Sequence, residues 1–194
     1  MIEWLDMATS NPGARYDATL RILHWAMAAI ILTAIALGVV AALLPPGTSP
    51  RVELLTVHKS LGMTALVLIV LRVAWRLSVG APPYAAALGA FSRLGAHAAH
   101  FALYALMIAV PATGYVASVI GGHATSWFGL FDWPALIARN DALAHRASFA
   151  HYWLAWAIGA ALALHLAAAA WHAWVKRDDV FARMWLARAG GANG

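Results

Sequence analysis

The sequence predicts an all-α membrane protein, a bundle of four transmembrane helices with a short interfacial segment in its third loop. Three observations predict it. The chain of 194 residues is 63% hydrophobic and only 11% charged, against about 45–50% and about 25% in soluble domains. Its mean hydropathy is +0.71. Four stretches reach the about 20 largely apolar residues that a helix needs to cross the hydrocarbon core. Cysteine is absent, which excludes disulfides, cysteine-ligated clusters and covalently attached c-type haem. The formal charge of +5 suits basic loops on one membrane face and no nucleic-acid partner.

The segment before Tyr16 is too polar and acidic for a cleavable signal peptide, and residues 1–14 are expected to be flexible. The first span runs about 20–44 and is closed by Pro45-Pro46-Gly47. The second runs about 54–77, before Gly80-Ala81-Pro82-Pro83. The third, about 94–120, contains Pro111, which is expected to kink it, and ends at Gly121-Gly122. The loop that follows carries Trp127, Phe128, Leu130, Phe131 and Trp133, then the polar run Arg139-Asn140-Asp141. It reads as an amphipathic segment lying in the interface on an aromatic anchor. The fourth span runs about 149–175. No internal repeat stands out, and residues 1–194 read as one domain.

Basic residues set the orientation. With both termini inside, the inner face collects Arg15, Arg21, Arg72, Arg76, Arg93, Lys176, Arg177, Arg183 and Arg188, and the outer face only Arg51, Lys59, Arg139 and Arg146. That asymmetry predicts cytoplasmic termini.

Histidines then fall at two depths. His24 lies near the inner end of helix 1 and His58 near the outer end of helix 2. His151 and His165 lie on helix 4, fourteen residues apart, or about 21 Å along one face. Imidazole is costly in lipid and seeks a partner. His24 and His165 can meet at the inner level, and His58 and His151 at the outer. Each pair can supply both axial ligands of one haem b, a centre that moves electrons rather than binding oxygen. Arg72, fourteen residues after His58, reaches the inner level and suits a haem propionate. Arg76, one turn lower, can snorkel to lipid phosphates.

Other readings stay open. His97 and His100, one turn apart at the start of helix 3, could ligate in place of His24. The histidines could be polar residues packed inside a bundle that relays protons, as in a transporter without haem. Zinc wants its ligands gathered at one spot, and these are spread over two levels.

Arg21-Ile22-Leu23-His24-Trp25 resembles the opening motif of the bacterial cytochrome b561 family, and His58-Lys59-Ser60-Leu61-Gly62 its second-helix motif. His97-Ala98-Ala99-His100 with Tyr104, Pro111 and Gly114 is similar to its third helix. His151, His165 and His172 with Lys176-Arg177-Asp178 resemble its last. The likeness covers Tyr16 to Trp185. It implies a di-haem b protein of the inner membrane with His24, His58, His151 and His165 as iron ligands. It also implies superoxide oxidase chemistry, with electrons from periplasmic superoxide reaching ubiquinone. Lys59 and Arg146 would draw the anion to the outer haem, though Lys59 also suits a snorkelling interface lysine. Arg15, Arg21 and His172 are the quinone candidates, the last able to hand over a proton or simply to end a helix in water. The alternative function is a cytochrome b that oxidises quinol and serves a periplasmic redox partner. Membrane lipid is a partner in every reading.

Overall fold

A computed structural model describes residues 15–80, 82 and 89–186. The expectation about residues 1–14 lies outside them. Four long helices run antiparallel in sequence: α1 (Ala18–Leu43), α2 (Ser49–Val79), α3 (Ala90–Ile120) and α4 (Asp141–Ala170). All four are long and apolar enough to cross a membrane. Asp17 caps α1, its carboxylate accepting from the amides of Thr19 (2.9 Å) and Leu20 (3.4 Å). α2 starts with Pro50 in its first turn and stops at Gly80, which adopts φ 75°. α3 continues through Pro111 as one helix. The Thr113 hydroxyl there lies 2.7 and 2.9 Å from the Ala109 and Val110 carbonyl oxygens.

α4 begins eight residues before the hydropathy reading placed it. Asn140 caps it by accepting from the Leu143 amide at 3.0 Å. The polar run 139–141 is therefore a helix start, and Arg139 closes it with a 3.0 Å ion pair to Asp141. Hydropathy alone trims such exposed polar first turns, as it also trimmed the first turn of α2.

The aromatic loop is a hairpin. Strands β1 (Ser126–Trp127) and β2 (Phe131–Asp132) pair antiparallel, Ser126 opposite Asp132 and Trp127 opposite Phe131. Phe128 (φ 50°) and Gly129 (φ 75°) make the turn, with the Leu130 amide on the Trp127 carbonyl at 2.9 Å. Two successive positive φ angles match a type I′ turn. The hairpin folds back on α2 rather than lying apart. Fully buried Ser60 takes the Phe128 amide on its hydroxyl (2.9 Å), which lies 3.0 Å from the Ser126 carbonyl, and the Trp127 indole donates to Thr64 Oγ1 at 3.0 Å. Ser60 and Thr64 are one turn apart, so they form a polar seam on one helix face.

Packing runs α1 on α2, α2 on α3 and α3 on α4, whereas α1 and α4 approach each other far less closely. The core cluster of Met27, Ile31, Ala65 and Ile69 is surrounded by Ile35, Tyr104, Met107 and Leu162 among others. After α4 a π-helical turn (Trp171–Lys176) and Arg177 at φ 53° reverse the chain. The C-terminal segment then crosses the start of α1. The Tyr16 amide donates to the Arg183 carbonyl at 3.2 Å and the Trp25 indole to the Met184 carbonyl at 2.9 Å. The first and last described segments thus share one end of the bundle, here the terminal end; the other is the hairpin end.

Candidate functional site: two histidine levels

Every helix carries a polar or glycine position at each of two levels, fourteen residues apart: His24 and Gly38 on α1, His58 and Arg72 on α2, His100 and Gly114 on α3, His151 and His165 on α4. At 1.5 Å per residue the levels lie about 21 Å apart. The apolar cluster of Met27, Ile31, Ala65 and Ile69 falls between them.

At the hairpin level the rings of His58 and His151 come together across the bundle, their centroids 6.1 Å apart and their planes at 82°. At the terminal level His24 and His165 do the same at 6.3 Å. These are the two pairs expected from the sequence. Metal–imidazole bonds run about 2 Å. With the ring radius added on each side, two axial imidazoles on one iron put their centroids roughly 6 to 6.5 Å apart. Both pairs fit that span.

The hairpin-level rings are also fixed in orientation. His58 Nδ1 lies 2.8 Å from the Ala34 carbonyl oxygen, and His151 Nδ1 lies 2.9 Å from that of Val110. A carbonyl only accepts, so Nδ1 carries the proton in each ring. Nε2 is left as the lone-pair nitrogen, the tautomer that a metal ligand needs.

The terminal level is more crowded. His100 also comes within reach of His165, centroid to centroid 5.9 Å, but it is exposed where His24 is half-buried. His97 is exposed too. Arg72 is 6% exposed and donates to the Leu20 carbonyl at 2.7 Å. The bond ties α2 to the first turn of α1, one turn before His24. Among the described residues, no group of three or more His, Asp or Glu side chains is placed to hold a metal ion.

The remaining candidates fall at the two ends. Lys59 is half-buried beside the hairpin, with Nζ 3.5 Å from the Ala124 carbonyl oxygen, and Arg146 is exposed on the second turn of α4. Arg15 and Arg21 both donate to the Trp185 carbonyl, Arg21 at 2.9 Å. Arg21 Nε stays buried without a partner among the described residues. His172 Nδ1 donates to Asp178 Oδ2 at 2.6 Å, joining the end of α4 to the reversed segment. Trp25 links the two parts, its ring 5.5 Å from His24 on one side and 5.4 Å from Trp185 on the other.

The sequence reading missed three of these features. Asp178 finds His172 only because Arg177 reverses the chain. The Ser60–Thr64 seam has no sequence signal beyond two hydroxyls one turn apart. Gly38 and Gly114 did carry a signal, since each lies fourteen residues from a histidine on its own helix.

Four membrane-length helices with paired histidine rings at two depths describe a b-type cytochrome of the electron-transfer kind. The family model described as prokaryotic cytochrome b561 matches residues 15–187, and the chain belongs to that family: it is a bacterial membrane b-type cytochrome. It is 33% identical over 178 residues to Cytochrome b561 homolog 2 of Escherichia coli (strain K12), a match covering 92% of this chain and 95% of that protein.

Proposed function

We propose that this cytochrome holds two haems b, one between His58 and His151 and one between His24 and His165, and carries electrons from superoxide to ubiquinone. The observation that carries the reading is the pair of ring separations, 6.1 and 6.3 Å, at levels that one fourteen-residue spacing defines in all four helices. When bound, the haems supply one-electron carriers at the two depths. The excess of Lys and Arg at the terminal end supports an inner-membrane protein with both termini in the cytoplasm and the hairpin toward the periplasm.

The chain's own residues then have distinct tasks. Lys59 and Arg146 place positive charge at the hairpin end, where it attracts a small anion and raises the encounter rate. Two superoxide anions leave as two dioxygen molecules and give up two electrons. One quinone takes those electrons with two protons and becomes quinol. At the terminal end, protonated His172 can present an N–H to a quinone carbonyl and release that proton to it, while the Asp178 carboxylate steadies the imidazolium through Nδ1. The unpartnered Nε–H of Arg21 is a second donor for a carbonyl oxygen. Arg72 offers its remaining N–H groups to a haem carboxylate.

Stopped-flow mixing of the oxidised protein with superoxide tests the substrate. Haem reduction at a rate that falls with ionic strength is expected, and Lys59→Ala slows it. Absence of reduction by superoxide, with normal reduction by quinol, would give the function to quinol oxidation for a periplasmic partner instead.

A further inference from the structure

The hairpin-level pair shows one arrangement twice. On α1, Gly38 lies against the His58 ring: a methyl group added there would come within 2.9 Å of Cε1 and 3.1 Å of Nδ1. On α3, Gly114 lies against the His151 ring, with the corresponding distances 2.9 and 3.0 Å. In both cases the carbonyl that accepts from Nδ1 belongs to the residue four before the glycine, Ala34 for Gly38 and Val110 for Gly114. The glycine and the carbonyl therefore sit one turn apart on the same helix face. Each histidine sets the Cε1–Nδ1 side of its ring against a bare stretch of neighbouring helix and hooks onto its backbone.

A side chain at either glycine must displace the histidine ring. Real Cβ atoms essentially never approach another heavy atom closer than 3.0 Å. The ring would have to lift off the helix, and the Nδ1–H bond to the carbonyl would lengthen with it. Glycine inside a helix otherwise costs about 1 kcal/mol relative to alanine. Gly62 and Gly159 show what an unconstrained helical glycine looks like here. An added methyl at Gly62 meets only Pro111 Cβ at 3.9 Å, and at Gly159 it meets nothing within 4 Å.

We infer that Gly38 and Gly114 are positioning residues for the hairpin-level centre: their missing side chains, with the Ala34 and Val110 carbonyls, fix the tautomer and plane of His58 and His151 and point both Nε2 atoms at one iron. This rests on the two-haem reading proposed above. Among the described residues, the rings of His24 and His165 have no such backbone bond, so the device belongs to one level. Ligand orientation and the hydrogen bond at the far ring nitrogen both tune a bound metal. A change at either glycine should therefore alter the hairpin-level centre and spare the other, about 21 Å away.

The test compares purified, haem-loaded Gly38→Ala and Gly114→Ala proteins with Gly159→Ala and the wild type. The readouts are low-temperature EPR of the oxidised protein and potentiometric titration of the reduced absorbance bands. In the two seat variants, one of the two low-spin EPR signals and the matching midpoint potential are expected to shift. Haem content should stay at two per chain or fall toward one through loss of that centre. Gly159→Ala is expected to match the wild type in all three. Seat variants indistinguishable from Gly159→Ala would overturn the inference while leaving two haems in place. Equal change at both centres would overturn it too, by showing a general loss of packing. A wild type without two low-spin signals would instead remove the reading on which the inference rests.

Discussion

Replacing His165 by alanine should remove one haem and spare the other. His165 is the ring that both His24 (6.3 Å) and His100 (5.9 Å) approach, so its loss leaves the terminal level without the shared partner. The hairpin level keeps all its parts: His58 and His151, the carbonyls of Ala34 and Val110, and Gly38 and Gly114. The two rings and the two glycines lie about 21 Å from His165 along the bundle axis, and the two carbonyls about 15 Å. Haem content should therefore fall from two per chain to one. The dithionite-reduced minus oxidised absorbance should drop by about half, and one of two midpoint potentials should vanish. Pyridine haemochrome assay against protein concentration gives the count. His58→Ala should remove the other centre, and the double variant both. His24→Ala and His100→Ala then separate the two neighbours of His165, the first losing the terminal haem and the second retaining it. A His165→Ala protein with two haems and unaltered spectra, or with none, would refute the pairing.

Three further outcomes follow from the contacts. Ser60→Ala removes the acceptor for the Phe128 amide, while the one hydroxyl proton is divided between the Thr56 carbonyl at 2.8 Å and the Ser126 carbonyl at 3.0 Å. The loss of about 1 kcal/mol should speed amide exchange in residues 126–131 roughly 5-fold; unchanged exchange would show that the seam does not hold the hairpin. Phe128→Asn places a residue that tolerates positive φ at an exposed turn position and should stabilise the hairpin by about 1 kcal/mol, seen as slower exchange there. The Asp17 carboxyl is held below its ordinary 3.8, chiefly by the Trp75 indole N–H, with the Thr19 and Leu20 amides adding to this and desolvation opposing it. A depressed carboxyl stabilises the fold above its unfolded value and loses that contribution as pH falls through the folded one. Acid titration of tryptophan fluorescence should show a transition below pH 3.8 that Asp17→Asn removes.

The histidine pairing was legible because helices convert residue number into depth. A fourteen-residue step is two heptads and keeps one face, so His58–Arg72 and His151–His165 fixed the two levels before any contact was known. Antiparallel connection then left one neighbour for His58 at the hairpin level, and His24 with His97 and His100 as candidate neighbours for His165 at the terminal level. Gly38 and Gly114 were harder to read. Glycine is common in membrane helices, and its significance here lies in the ring of another helix pressed against it. The start of α4 was misplaced because hydropathy weighs transfer to lipid, whereas Asn140 begins the helix by capping it in water. The hairpin was hidden for a similar reason. Phe128-Gly129 lacks the Asn-Gly signature of its turn, and the docking depends on Ser60 and Thr64 sixty or more residues earlier. His172 was placed at a helix end, but its bond to Asp178 required the reversal at Arg177, which no periodicity announces.

The haem content of the wild-type protein, purified in detergent, is the most direct check. Two b-type haems per chain, both low-spin, are the expected result of two imidazole pairs stacked at separate depths. A count of one, or a preparation without absorbance in the visible range, would contradict it.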